Sequence, residues 1–284
     1  MSDKTQLVVI GGGPGGYAAA FHAADLGMDV TLVDPEENPG GVCLYRGCIP
    51  SKALLHVAKL IHEARESKSW GVEFAEPKID LDKLRSFKQD VVKRLTGGVG
   101  QLAKHRKIKH IHGMATFKNN NTLDITLNEN SKTELEFDKA IIATGSRPTI
   151  IQNLWIDSPA LLDSTGALEL PDIPKSMLVI GGGYIGLEMG TVYASLGTKI
   201  TVVEMMPGIL PGADKDLVRV LQKSLDAKFS NILTETKVTK LEEVKDGIKA
   251  TLENKDGDSS QETFDKVLMT IGRRANSENI GLEN

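Results

Sequence analysis

The sequence predicts an α/β protein of two domains, each a parallel sheet with helices plus a small antiparallel meander. Three observations predict it. Leu7 to Ile10 is a short apolar run, followed by GGGPGG and then by the small-residue run YAAAFHAADLG, which reads as strand, tight turn and helix. The same order returns at Met177 to Ile180, GGGYIG and LEMGTVYASLG. Each copy leads to a second apolar run that ends on an acid: Val30 to Val33 before Asp34, and Thr201 to Val203 before Glu204. In both copies the acid stands 23 residues after the first glycine, and the copies are 170 residues apart.

Gly11, Gly13 and Gly16, with Pro14 among them, make one G-x-G-x-x-G, and Gly181, Gly183 and Gly186 make the other. Such glycines allow a tight turn, close approach of backbone to a pyrophosphate, and close packing of helix on sheet. The helix N-terminus then faces the phosphates, and the acid accepts a ribose hydroxyl. A structural glycine-rich turn is the alternative, but a lone fingerprint carries far less weight than strand, helix and acid in register. The chain therefore reads as two Rossmann-like dinucleotide-binding domains, and two such sites imply electron transfer between two cofactors. At the second site Glu204 suits the 2′-hydroxyl of NAD and repels the 2′-phosphate of NADP. Met205, Met206 and Pro207 after it supply no arginine to hold a phosphate.

The only two cysteines, Cys43 and Cys48, lie in GGVCLYRGCIPSKALL. Residues five apart in a regular helix have Cα atoms roughly 8 to 9 Å apart, whereas a disulfide needs about 4.4 to 6.8 Å. A bridge here requires a distorted turn. Gly47 loosens the backbone, and Pro50 cannot donate the helical hydrogen bond to Arg46. Beyond it Leu54, Val57, Ala58 and Ile61 have the spacing of an amphipathic helix. A disulfide on such a turn is expected to be reactive; the alternative is a pair of ordinary buried thiols.

Composition narrows the classes. The chain has 284 residues, 40% apolar and 25% charged, as expected for two globular domains with real cores. A net charge of −4 makes no electrostatic case for nucleic acid or an anionic membrane. No apolar run is long enough to span a bilayer. The opening MSDKTQ is neither a secretory signal nor an Arg-rich transit peptide. Two cysteines in one motif fit a cytoplasmic enzyme with a transient disulfide.

Along the rest of the chain, Trp70 to Ile79 reads as a connection and Leu81 to about His105 as a helix with a solvated Lys/Arg face. Thr122 to Phe137 alternates as a meander, and Lys139 to Thr144 reads as a buried strand ending at Gly145. Val238 to Leu252 alternates, Asn254 to Ser260 makes a polar turn, and Phe264 to Ile271 reads as a last strand. His105, His110 and His112 are irregularly spaced and have no carboxylate or cysteine close in sequence, so they read as surface or strand-end histidines and no metal site is expected.

With these motifs in place, the chain resembles the flavoprotein disulfide reductases, and most of all their branch that oxidises dihydrolipoamide. The C-x4-C-I-P-S-K run carries the likeness with the highest specificity, and the likeness covers the whole chain. It implies FAD at the first site and NAD at the second, with domain limits of 1–149 plus 271–284 and 150–270. It implies that Gly41, Val42, Cys43, Lys52, Ala115, Ala143, Thr144 and Gly145 border FAD, with Ala115 near its adenine end. Asp34 stands where the family usually has glutamate. Tyr184, Ile185, Val238 and Gly272 would border NAD, and GRRAN at Gly272 to Asn276 resembles the family's G-R-x-P-N with alanine for proline. The resemblance further implies that Cys48 is the sulfur next to the flavin and that Cys43 exchanges with the dithiol. Lys52 and Glu188 would pair beside the flavin; outside the motif either would read as a surface charge.

The same resemblance implies a lipoyl domain and the core acyltransferase of a 2-oxoacid dehydrogenase complex as partners, and a homodimer. Relatives continue beyond Asn284 with a last FAD strand and a dimerisation domain bearing a His–Glu acid–base pair. That domain is absent from this sequence, so the chain reads as a fragment with little turnover of its own. The alternatives are another member of the family, such as a mercuric or glutathione-type reductase, and a nucleotide-binding module without catalysis.

Overall fold

The structure is a computed structural model that describes residues 3–284. In chain order the first half forms β1 (Asp3–Ile10), α1 (Pro14–Asp25), β2 (Val30–Val33), α2 (Gly41–Arg46), α3 (Cys48–Glu66), a 3₁₀ turn (Ser67–Trp70) and α4 (Leu81–His105). Then follow β3 (Lys109–Ile111), β4 (Gly113–Asn119), β5 (Thr122–Leu127), β6 (Lys132–Ile142) and β7 (Ser146–Pro148). The second half forms β8 (Leu161–Leu162), α5 (Ser164–Leu168), β9 (Ser176–Ile180), α6 (Tyr184–Leu196), β10 (Lys199–Val203) and α7 (Lys215–Asp226). It ends with β11 (Asn231–Leu233), β12 (Thr236–Val244), β13 (Gly247–Asn254), β14 (Ser259–Phe264), β15 (Lys266–Met269) and β16 (Arg273–Ala275). No helix among the described residues is long and apolar enough to cross a membrane.

The chain divides into two compact units. One holds the residues up to Pro50 with Gln89–Arg147 and Arg274–Asn284; the other holds Ser51–Lys88 and Pro148–Arg273. The first unit carries a six-stranded sheet in the order β3-β2-β1-β6-β5-β4. Strands β3, β2, β1 and β6 run parallel, and β5 and β4 continue antiparallel. On one face α1 buries Ala20 and Ala23 against Leu7, Val9, Val30 and Leu32. On the other, Leu123, Ile125, Leu135 and Phe137 pack with Val8, Ile10 and Val33. Small residues on α1 let it lie close to the sheet, which is why its sequence shows little helical amphipathicity.

The second unit carries a parallel sheet, β11-β10-β9-β15-β8, and an antiparallel meander, β12-β13-β14. Helix α6 buries Leu187, Met189, Val192 and Tyr193 against Met177, Val179 and Ile200. Tyr193 is fully buried, and its hydroxyl donates to the Ala167 carbonyl at 2.9 Å. That bond satisfies a phenol which burial would otherwise penalise. The meander closes the other face, with Val238, Leu241, Ile248 and Leu252 against Leu178, Val203 and Val267.

Three local expectations change: the break between the meander and the strand after it, the burial of that strand, and the unbroken run of the last strand. The meander and the strand after it share one element: β6 pairs with β5 over residues 132–136 and with β1 over residues 135–142, so the predicted break near residue 138 is absent. Nor is its second half buried, since Ile141 and Ile142 are 36% and 45% exposed. Ile141 pairs with Val9, yet α1 covers β1 and β2 on that face and leaves Ile141 open. The predicted strand from Phe264 to Ile271 is split at Asp265. Its backbone N–H donates to Ser176 Oγ at 3.0 Å, and its carboxylate accepts from the N–H groups of Lys175 and Ser176. This turns the chain from the antiparallel meander into the parallel sheet. Residues 51–88, which fall in sequence within the first nucleotide region, belong to the second compact unit. Leu54 and Leu84 enter the core built around Met177 and Tyr193.

Candidate functional site

In the first unit β1 ends at Ile10 and the chain turns sharply at Gly11, whose φ is +103°. A Cβ there would lie 2.2 Å from the Ala143 carbonyl oxygen, so the position takes no side chain. Gly13 caps α1, Pro14 occupies its first turn, and Gly16 sits buried in that turn. A Cβ on Gly16 would lie 1.8 Å from the Gly11 carbonyl oxygen. No side chain caps the α1 N-terminus and no acid stands in its first turn. The helix end thus presents backbone N–H groups and a positive dipole end, the chemistry a phosphate needs.

Asp34 is buried at the end of β2. One carboxylate oxygen accepts from the Gly12 N–H at 2.6 Å and the other from the Glu36 N–H at 3.0 Å. The second unit repeats this arrangement. Gly181 has φ +105°, Gly183 caps α6, and Gly186 packs so tightly that a Cβ would lie 2.5 Å from Thr270 Oγ1. The α6 N-terminus also lacks a side-chain cap and an acid in its first turn. Glu204, also buried, accepts from the Gly182 N–H at 2.7 Å and the Met206 N–H at 2.8 Å. Each carboxylate therefore braces its own glycine loop while keeping lone pairs for a further donor. The bracing role is invisible in the fingerprint itself, which specifies only glycines and an acid.

The cysteine turn lies in the first unit. α2 ends at Arg46, Gly47 breaks the helix, and α3 starts at Cys48. The two cysteines therefore stand on either side of the expected break, Cys43 half-buried and Cys48 exposed. A Cβ on Gly47 would lie 2.9 Å from the Val42 carbonyl oxygen and 3.5 Å from Cys43 Cα, so glycine is what lets the turn close. Val42 sits beside it in α2. Gly41 joins this turn to the nucleotide loop: its φ is +56°, and a Cβ would lie 2.5 Å from Gly13 Cα. Burial pushes the Tyr17 phenol above its ordinary pKa, and the nearby Cys43 and Cys48 add to the shift.

Ala143 and Thr144 follow β6 and meet the same loop, with Ala143 against Gly11 and Gly16, and Gly145 comes next in the chain. Asn276, far along the chain, holds this run. Its side-chain amide donates to the Thr144 carbonyl at 3.0 Å, its N–H donates to the Gly145 carbonyl at 3.0 Å, and Thr144 Oγ1 donates to its carbonyl at 2.7 Å. Both motifs were visible in the sequence, but their pairing was not. Ala115 lies apart from the loop, buried in the core with Val8, Ile10 and Val33.

In the second unit Tyr184 is 62% exposed and Ile185 half-buried in the first turn of α6. The Val238 side chain is in the core, which leaves only its backbone to border a ligand. Gly272, with φ +119°, accepts at its carbonyl from the Thr149 N–H at 3.0 Å. Lys52 and Glu188 are brought together here, with Nζ donating to Oε1 at 2.5 Å across 136 residues of sequence. Among the described residues no cluster of three or more His, Cys, Asp or Glu is arranged to hold a metal ion.

A family model described as pyridine nucleotide-disulphide oxidoreductase matches residues 5–284. The dihydrolipoyl dehydrogenase of Vibrio cholerae is 48% identical, with 99% of this chain and 60% of that protein aligned. That of Haemophilus influenzae is also 48% identical, over 96% of this chain and 57% of its own length. Among solved structures, LpdA from Mycobacterium tuberculosis superposes with a TM-score of 0.87 at 26% identity, covering 98% of this chain and 61% of that one. The Cu(II) complex of the HOCl-induced flavoprotein disulfide reductase RclA from Escherichia coli gives 0.82 at 27% identity, over 99% and 59%. The chain spans about 60% of the length of the curated relatives it matches.

Proposed function

The chain belongs to the pyridine nucleotide-disulphide oxidoreductase family, and on that premise we propose that it forms the two-nucleotide part of an NAD-dependent dihydrolipoyl dehydrogenase. The observation that carries the reading is the repeated loop-and-carboxylate arrangement, Asp34 on the Gly12 N–H and Glu204 on the Gly182 N–H, with a cysteine turn joined to the first of the two loops. FAD fits the first site and NAD the second. Gly13 and Gly183 leave open space at the start of each helix, and each uncapped helix end offers donors to an anion. Glu204 sets the choice of NAD, since its carboxylate attracts a ribose hydroxyl and repels a phosphate.

Bound FAD would supply a two-electron carrier between the nicotinamide and the cysteine pair. The chain's own groups do the rest. Asp34 and Glu204 hold the ribose ends. Ala143, Thr144 and Gly145, fixed by Asn276, border the flavin site together with Gly41 and Val42. Lys52, held by Glu188, would supply a positive charge that tunes the flavin. Cys43 exchanges with the dithiol substrate, Cys48 faces the flavin, and Tyr184 gates the nicotinamide. The dithiol would be the dihydrolipoyl group of a lipoyl domain bound to the acyltransferase core of a 2-oxoacid dehydrogenase complex, with the enzyme acting as a homodimer in the cytoplasm.

The test is direct exchange. Dihydrolipoamide is added without oxygen to the chain in its disulfide form, and the thiols are then alkylated and weighed. The dithiol should close to its cyclic disulfide while passing two electrons and two protons to Cys43 and Cys48, giving two alkylated cysteines per chain. A cysteine pair that stays oxidised under excess dihydrolipoamide contradicts the substrate assignment.

A further inference from the structure

The two cysteines are separated by residues that tie the turn to the loop after Asp34. Tyr45 Oη donates to the Asn38 carbonyl at 2.9 Å and accepts from the Asn38 N–H at 3.3 Å. Arg46 forms an ion pair with Glu36, and its guanidinium lies 5.8 Å from the Tyr45 ring centre. α4 presses on the same loop, where a Cβ on Gly100 would lie 2.0 Å from Asn38 Oδ1 and one on Gly40 would lie 3.2 Å from Thr96 Cγ2. Glu36 in turn gives its N–H to Asp34, and its carbonyl lies 2.9 Å from His112 Nδ1. Arg46 is three residues after Cys43 on α2 and two before Cys48. Residues three apart on a helix have Cβ atoms about 5 to 6 Å apart, so the Arg46–Glu36 ion pair is rooted one helical turn from Cys43.

We propose that Arg46 and Glu36 are opposed positioning residues that set the disulfide–dithiol equilibrium of Cys43 and Cys48. The proposal rests on the redox role assigned above to that pair. On reduction by an external dithiol the Cys43–Cys48 S–S bond breaks, two electrons and one proton pass to the two sulfurs to leave a thiol and a thiolate, the reagent's second proton goes to solvent, and the reagent closes to its own disulfide. The reduced state is the one that carries a thiolate, and a thiolate is stabilised by a nearby cation and opposed by a nearby anion. Arg46 therefore favours the reduced form and Glu36 restrains it. Tyr45 holds the segment in place and adds no charge. The residues also connect redox state to the ribose site, since Glu36 shares the Asp34 carboxylate with the Gly12 N–H.

The experiment equilibrates the full chain and the variants Glu36→Gln, Arg46→Met and Tyr45→Phe in dithiothreitol buffers of graded ratio, then counts thiols by alkylation and mass. A solvent-screened unit charge at this range is worth about threefold in the equilibrium. Glu36→Gln should favour the dithiol about threefold and Arg46→Met should favour the disulfide about threefold, a separation of about tenfold, or about 30 mV for a two-electron couple. The separation should shrink in 1 M salt. A merely structural clasp would move all three variants in one direction. Shifts of the same sign for Glu36→Gln and Arg46→Met, or a separation under twofold, overturn the proposal. A parent chain that forms no Cys43–Cys48 disulfide at any buffer ratio overturns the redox reading and the proposal with it, whereas a parent that titrates normally beside unmoved variants overturns the proposal alone.

Discussion

Replacing Asp34 with asparagine tests whether the acid of the fingerprint braces its loop in addition to meeting a ribose. Both carboxylate oxygens are committed to backbone donors, Gly12 N–H at 2.6 Å and Glu36 N–H at 3.0 Å, on a buried side chain. Asparagine keeps one oxygen acceptor and turns an NH₂ donor toward the other N–H. One charge-assisted bond becomes neutral and one becomes a donor facing a donor. Hydrogen bonds to charged groups contribute about 1.5–3 kcal/mol, and an unsatisfied buried donor costs about 1–3 kcal/mol. Partial relaxation keeps the total near the lower end of their combination, about 2–3 kcal/mol. At roughly 2–4 °C per kcal/mol the first unit should melt about 4–12 °C lower. The assay is urea and thermal unfolding of the nucleotide-free chain, so that a lost ribose contact does not enter. A loss below about 0.5 kcal/mol would show that the two N–H bonds add nothing, and the bracing argument would fail for Glu204 as well.

Gly186→Ala should destabilise the second unit by about 1–3 kcal/mol through overpacking, because its Cβ meets Thr270 Oγ1 and the Gly181 carbonyl at 2.5 Å; chemical denaturation measures it, and Gly183→Ala, with open space around it, serves as the control. Asn276→Ala removes the bond to the Thr144 carbonyl, and denaturation should register a loss of about 1 kcal/mol. The His110 and His112 rings lie 4.2 Å apart at a tilt of 49°, and His110 has a buried, unpartnered Nε2. Burial first, and the charge on His112 second, hold its pKa below the ordinary value, while Asp34 opposes them. A depressed histidine contributes stability that is intact above its unfolded pKa of about 6.5 and is lost as pH falls below it toward the folded value. Stability measured against pH should therefore decline more steeply below about pH 6.5 in the parent than in His110→Gln.

Much of this architecture is legible because its signals are local. Each strand, glycine turn and helix occupies about 20 consecutive residues, and the acid at a fixed interval reports the next strand, so the parallel sheets follow from reading alone. The break at Gly47 was legible for the same reason. What stayed hidden depends on residues remote in sequence. Asn276 meets Thr144 across 132 residues, and nothing in either motif names the other. β6 reads as two strands because its pattern changes from alternating to apolar where its partner changes from β5 to β1 alone, although the backbone runs straight through. Asp265 looks like one polar residue in an apolar strand, yet its bonds to Lys175 and Ser176 end one sheet and begin another. Residues 51–88 follow the cysteine motif in sequence but bury Leu54 and Leu84 in the second core. Burial is a property of the assembled layers, which a periodicity cannot assign to one of two similar sheets.

The most direct measurement is an anaerobic NADH titration of the oxidised chain reconstituted with FAD, following flavin absorbance and counting alkylated cysteines at each point. One NADH should deliver two electrons per chain, giving NAD and thiols at both Cys43 and Cys48, with NADPH far less effective and Cys48→Ser gaining no thiol pair. A chain that takes up no flavin, or whose flavin is reduced while the Cys43–Cys48 disulfide stays intact, would contradict the claim that two nucleotide sites serve one cysteine pair.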